Sequence, residues 1–276
     1  MADRVPEDPD DRLARKEREA RAILRRLGRV VVAVSGGVDS ALLLAMAREE
    51  LGDRARAALA VSPSLAGRER EEARALAKRL GVPLVELRTG EFEDPRYLAN
   101  GPDRCYWCRA ALAEALVRLA AEDGAAACYG AIADDTADDR PGMLAAREAG
   151  LRAPLLEAGF TKEDVRRLAK RLGLPVWDKP ASACLASRIP RGERVTAERL
   201  ARVERAEEGL ARLGYRAVRV RDHGAIARIE LPAESVAAAA ADRERIVEAV
   251  RRAGYAYVCL DLEGYRPAGL AANRSA

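Results

Sequence analysis

At 276 residues, 49% of them hydrophobic, the chain is long enough for one large domain or a medium domain with a small companion, which excludes disordered and fibrous classes. Its 48 basic and 44 acidic side chains nearly cancel to +4, so most charge is solvated helix face with a modest preference for anionic ligands. No run approaches the ~20 apolar residues of a membrane span, and the charged N-terminus has no apolar signal region, so no membrane partner and a cytoplasmic location are expected. Five cysteines, at 105, 108, 128, 184 and 259, are an odd set that argues against a disulfide framework and for reduced thiols or metal ligation. Lysine is scarce beside arginine, occurring only at 16, 78, 162, 170 and 179.

In chain order, residues 8–27 place Leu13, Ala20, Ile23, Leu24 and Leu27 at helical spacing before Gly28. The β-branched run Val30-Val31-Val32-Ala33-Val34 predicts a buried central strand, and a helix is expected over 41–50 after a glycine loop. Strands near 57–61, 84–87 and 125–130 then alternate with helices near 67–80 and 109–122. That alternation predicts an α/β fold, a Rossmann-like parallel sheet with helices on both faces. Past a helix over 164–172 the texture changes. Residues 183–194 form a loop, a charged helix is expected from Thr196 to Leu213, and two alternating segments, 217–221 and 226–231, flank a hairpin-like Asp222-His223-Gly224. A helix over 233–253 and an apolar strand over 256–260 complete a small α+β unit. The expected division is therefore 1–188 and 189–276.

Between the first strand and its helix lies Ser35-Gly36-Gly37-Val38-Asp39-Ser40. A glycine turn there points backbone N–H groups outward at the positive end of a helix dipole, which favours phosphate. The lysine of GxxxxGK[ST] is missing, so this is a different nucleotide loop. Asp39 beside phosphate makes sense with Mg²⁺ between them, because a hard cation bridges carboxylate and phosphate oxygens. The string SGGVDS resembles the pyrophosphate loop of the ATP pyrophosphatase superfamily, whose fold is adenine nucleotide α-hydrolase-like. That resemblance implies ATP as substrate, with β,γ-pyrophosphate as leaving group while an oxygen attacks the α-phosphorus.

A narrower resemblance rests on Asp134-Asp135, Arg140-Pro141-Gly142, Pro154-Leu155, Thr161-Lys162 and the block Trp177-Asp178-Lys179-Pro180-Ala181-Ser182-Ala183-Cys184-Leu185-Ala186-Ser187-Arg188. Val218-Arg219-Val220-Arg221, Ala227-Arg228-Ile229-Glu230 and Leu260-Asp261-Leu262-Glu263-Gly264-Tyr265-Arg266 extend it over essentially the whole chain. These resemble the LarE family, ATP-dependent sulfur transferases that make the thiocarboxylates of the nickel-pincer nucleotide cofactor of lactate racemase. The resemblance implies a small mononucleotide substrate, pyridinium-3,5-dicarboxylate mononucleotide, and a homo-oligomer. It places Cys184 in the active site, assigns Arg219 and Arg221 to the substrate phosphate, and puts Glu207 and Glu230 in the substrate site, either directly or through a metal. Lys179 and Lys162 would stabilise charge on the transferred phosphoryl group, although Lys162 could instead sit beside a helix start.

Cys105 and Cys108 form Cys-Tyr-Trp-Cys at an expected helix start, where the dipole favours thiolates. By themselves they suit zinc, an iron–sulfur cluster, a dithiol pair or two packed thiols. The family resemblance adds Cys184, because one branch uses a single sacrificial cysteine and another uses three to hold a [4Fe-4S] cluster. Three thiolates leave one iron able to carry an extra sulfide; alternatively Cys184 donates its own sulfur and becomes dehydroalanine. Cys128 and Cys259, inside apolar strands, are expected in the core, and the lone His223 in a turn. Rival readings are a cluster-dependent tRNA thiolase and a nucleotide sensor without turnover. No RNA-binding module or lysine–aromatic cluster supports a nucleic-acid partner.

Overall fold

A computed structural model describes residues 8–136, 141–180 and 183–265. Arg140, Ala181, Ser182 and Arg266 of the motifs above lie outside the described residues. The described chain gathers into two compact units, residues 8–97 with 102–180 and residues 98–101 with 183–265.

The first unit begins with α1 (Pro9–Leu27), capped by Asp8 and closed by Gly28 at φ 73°. It continues through β1 (Val30–Val34), α2 (Val38–Leu51), β2 (Ala55–Val61), α3 (Gly67–Leu80), β3 (Leu84–Arg88) and the short α4 (Pro95–Leu98). Then follow α5 (Arg104–Glu122), β4 (Ala126–Tyr129), α6 (Pro141–Glu148), α7 (Pro154–Glu157) and α8 (Lys162–Arg171). The four strands are all parallel, in the order β3-β2-β1-β4. Successive strand side chains point to opposite faces, so β1 feeds two cores. Val30, Val32 and Val34 pack with α1, α2 and α8, whereas Val31 and Ala33 pack with α5 and α6. Each fully buried valine contributes about 2 kcal/mol of apolar burial. This is the expected parallel sheet with helices on both faces.

The strand order determines where a ligand fits. From β1 the chain steps outward to β2 and β3, then returns to place β4 on the other side of β1. The crevice at the carboxyl ends of β1 and β4 is thus a topological switch point, where open α/β sheets bind ligands.

The second unit contains α9 (Ala197–Arg212), β5 (Arg219–His223), β6 (Ile226–Glu230), α10 (Val236–Ala241), α11 (Arg243–Arg252) and β7 (Tyr257–Leu260). β5 and β6 are antiparallel and β7 joins β6 in parallel. Ala206, Leu210, Val220, Ala227, Ile229 and Val250 make its core. The fully buried Asp222 ties α9 to the sheet by accepting from Arg199, Arg202 and the Tyr255 hydroxyl. Residues 98–101 join this unit because buried Asn100, at φ 57°, donates its side-chain amide to Pro190 O and accepts from Gly192 N at its own carbonyl.

Some expectations are corrected. The helix expected over 233–253 is broken at Asp242, whose carboxylate accepts from the Tyr215 hydroxyl and Arg245. β5 runs on through His223, so the tip of the expected hairpin is Gly224-Ala225, and the buried Asp222 braces that turn by accepting from Gly224 N. Cys259 is exposed. The apolar run around it suggested burial on both sides, but β7 belongs to a three-stranded sheet in which only alternate positions meet the packed helices. Cys128 is buried in β4 as expected, and burial pushes its thiol up to about 12.

Candidate phosphate loop and thiol site

Ser35-Gly36-Gly37 links β1 to α2 at the switch point. Gly36 takes φ 71°, a left-handed conformation that an L side chain resists, so this glycine is required by backbone geometry. Gly37 is the N-cap of α2 and provides no side-chain cap. The first-turn N–H groups of a 14-residue helix therefore lack a side-chain partner at its positive end. Ser40, nearly buried, braces the turn: its hydroxyl donates to Gly37 O and accepts from Ser35 N, each at 3.2 Å. Ser35 is exposed and Asp39 half-buried.

Both lysines expected at the phosphates converge on this loop. Lys162, the first residue of α8, puts Nζ 2.7 Å and 2.6 Å from the two carboxylate oxygens of Asp39, and its own backbone N–H donates to Asp134. It is therefore both a helix-start residue and a loop residue. Lys179 Nζ donates to Gly36 O at 2.9 Å and to Glu72 Oε2 at 2.6 Å. Burial pushes the Glu72 carboxyl up, but hydrogen bonds from Lys179 and Arg68 outweigh this and hold it below the usual carboxylate range.

The thiols divide between the units. Cys105 and Cys108 stand one turn apart at the start of α5, exposed and half-buried respectively. Trp107 between them donates to Asp103 and lies 3.5 Å beneath the Arg96 guanidinium, so the turn is held by its own side chains. Two cysteine side chains at this spacing, one exposed and one half-buried, are the donor type that a soft metal or iron–sulfur group takes. Among the described residues no three Cys, His, Asp or Glu side chains are gathered as a metal site. Cys184, exposed, is the N-cap of a 3₁₀ turn over Leu185–Arg188 in the second unit.

Within that unit the buried Arg188 clamps the Cys184 segment. Its guanidinium donates to Ala183 O, Cys184 O and the Ser187 hydroxyl, and forms a two-pronged pair with Glu207. Glu207 also accepts from Val220 N, so this expected substrate-site acid is engaged in holding Arg188 to β5. Arg219 and Arg221 do share one face of β5, as alternation requires. Arg221 grips both oxygens of Glu230 and donates to Ser187 O, whereas Arg219 lies over the Tyr265 ring at 5.3 Å. Glu230 is thereby committed to Arg221 and also pairs with Arg228, which stands directly opposite Arg221 in register.

Two loop neighbours were missed in the sequence. Gly130 follows β4, and a Cβ there would fall 2.6 Å from Ser40 N and 2.8 Å from Ser40 Cα, so only glycine lets β4 approach the loop. The available signal was a glycine closing the strand beside the loop strand. Glu72 had none, being one of several glutamates on a charged helix.

An asparagine synthase family model matches residues 18–106, which include the phosphate loop and β1 to β3. The chain is 44% identical over 257 residues to an uncharacterised protein of Synechocystis sp., covering 92% of this chain and 96% of that one. It is 41% identical over 256 residues to the pyridinium-3,5-bisthiocarboxylic acid mononucleotide synthase of Lactiplantibacillus plantarum, covering 92% and 93%. It is also 30% identical over 221 residues to the tRNA-specific 2-thiouridylase MnmA of Azorhizobium caulinodans, covering 66% of this chain and 56% of that protein.

Proposed function

The chain belongs to the LarE family of pyridinium-3,5-bisthiocarboxylic acid mononucleotide synthases, and from that premise we propose that it adenylates a carboxylate of pyridinium-3,5-dicarboxylate mononucleotide and converts it to a thiocarboxylate. The observation that carries the proposal is the uncapped start of α2 at the switch point, with Lys162 and Lys179 both brought to the loop before it.

In this reading a substrate carboxylate oxygen attacks the α-phosphorus of ATP. The bond from that phosphorus to the α,β-bridging oxygen breaks, and pyrophosphate leaves with the electron pair. A carboxylate is a poor electrophile until such a leaving group is attached. The loop N–H groups and Lys179 hold the departing phosphates, and Asp39 would hold Mg²⁺ once Lys162 turns to the nucleotide. Arg219 and Arg221 hold the phosphate of the mononucleotide, with Glu207 and Glu230 beside it. A sulfur nucleophile at Cys184 then attacks the acyl carbon and AMP departs. Water must be kept out, since it would hydrolyse the mixed anhydride.

Cys105, Cys108 and Cys184 would hold a [4Fe-4S] cluster, which when bound supplies an iron without a protein ligand for a transferable sulfide. The accessible pair on α5 and the exposed Cys184 supply the right donors. The reading is of a cytoplasmic homo-oligomer whose five cysteines are thiols outside any disulfide. Anaerobically prepared protein should carry about four irons per chain. Each of Cys105→Ala, Cys108→Ala and Cys184→Ala should lower that content, while Cys128→Ala should not. With free sulfide, turnover should repeat and Cys184 should keep its mass. Colourless protein whose Cys184 loses hydrogen sulfide after one turnover would establish the sacrificial route instead.

The similarity to a tRNA 2-thiouridylase favours a second reading, the same ATP chemistry on tRNA. It requires salt-sensitive RNA binding, and tRNA-stimulated pyrophosphate release would establish it.

A further inference from the structure

Lys162 and Lys179 are each held by a carboxylate, but the two carboxylates differ in place. Asp39 belongs to the loop's own helix, so when Lys162 leaves it the carboxylate stays beside the phosphates and another cation must take the lysine's place. Glu72 stands on α3, and its two oxygens are divided: Arg68 Nε donates to Oε1 at 2.8 Å while Lys179 Nζ donates to Oε2 at 2.6 Å. If Lys179 departs, Glu72 remains paired with Arg68 and its freed oxygen, part-exposed, is rehydrated. The ammonium stays anchored through Gly36 O, the carbonyl of the residue that shapes the turn.

We propose that Glu72 is a positioning residue that parks Lys179 against the loop in the nucleotide-free protein and hands it to the β,γ-phosphates when ATP arrives. This rests on reading Ser35–Ser40 as a pyrophosphate loop. A phosphate carrying more than one negative charge outcompetes a single carboxylate for the ammonium, while Arg68 keeps the donor side of the exchange from leaving an isolated charge. Parking has two consequences. The lysine is already oriented when the ligand enters, and ligand binding is weakened by the strength of the pair that must open. For a part-exposed ion pair that is a factor of about three.

The test measures binding of Mg²⁺-pyrophosphate and, separately, AMP to the full-length protein by titration calorimetry. The proteins are wild type, Glu72→Gln, Lys179→Met and the double variant. Glu72→Gln should bind pyrophosphate about threefold more tightly with AMP affinity unchanged, and the gain should vanish in the Lys179→Met background. A gain of equal size without Lys179 overturns the proposal, because it reports only the removal of a nearby negative charge. Unchanged or weaker pyrophosphate binding in Glu72→Gln overturns it as well. Wild-type protein that binds no pyrophosphate overturns the loop reading itself and takes this proposal with it. Glu72→Ala serves the same test should Glu72→Gln not fold.

Discussion

Lys162 and Lys179 in the first unit and Arg188, Arg219 and Arg221 in the second are all cations suited to phosphate, and most of them meet a carboxylate. Each lysine brings one ammonium to a part-exposed acid around an uncapped helix start, Lys162 to both oxygens of Asp39 and Lys179 to one oxygen of Glu72 and to Gly36 O. Arg188 and Arg221 instead grip Glu207 and Glu230 with two planar N–H donors each, on acids less exposed than Asp39 and Glu72. A single ammonium exchanges easily for a phosphate, whereas a planar two-donor pair on a less exposed acid is part of the framework. The difference teaches that a cation's type and spacing identify what it can bind, while its partner in the folded chain decides how readily it does so.

The largest effect is expected from disturbing the loop without touching a charge. Gly130→Ala places a Cβ against Ser40 N and Cα, so the start of α2 must move. ATP-dependent pyrophosphate release should fall about a hundredfold, the scale of a misplacement near 1 Å, with the protein still folded by circular dichroism. Retained activity would mean that the close approach of β4 to the loop does not matter.

A smaller effect sharpens the second half of the comparison. Arg219→Ala should raise the KM for the mononucleotide about tenfold, the scale of one charged hydrogen bond, with little change in thermal stability. Arg221→Ala should raise it less and instead cost about 1–2 kcal/mol of stability, because Glu230 loses its two-pronged partner. Changing both should affect the KM for the mononucleotide more than that for ATP. Equal effects on the two would indicate general damage.

Legibility in the sequence followed how local each cause was. The apolar run at 30–34 and the glycine turn after it announce a central strand and its loop, because period and turn chemistry reside in neighbouring residues. Gly130, Glu72 and the Arg188–Glu207 pair were hidden because each meets a partner on another element, 19 to 107 residues away, which no local pattern announces. Cys259 failed for a related reason. An apolar run does not reveal whether its sheet is covered on one face or two, and this one lies in a small three-stranded sheet. Asp222 was half legible: its acceptance from Gly224 N is the local turn chemistry that Asp-His-Gly announces, while its burial against two arginines depends on residues about 20 positions away.

The central claim is that the Ser35–Ser40 loop supports attack of a substrate carboxylate on the α-phosphorus of ATP. Supplying ATP with pyridinium-3,5-dicarboxylate mononucleotide labelled with oxygen-18 in its carboxylates, and analysing the nucleotide product by mass spectrometry, tests it most directly. The account predicts pyrophosphate together with AMP carrying one labelled oxygen, since the attacking oxygen stays on phosphorus when sulfur displaces AMP. Formation of ADP and phosphate, or of AMP without label, would contradict it.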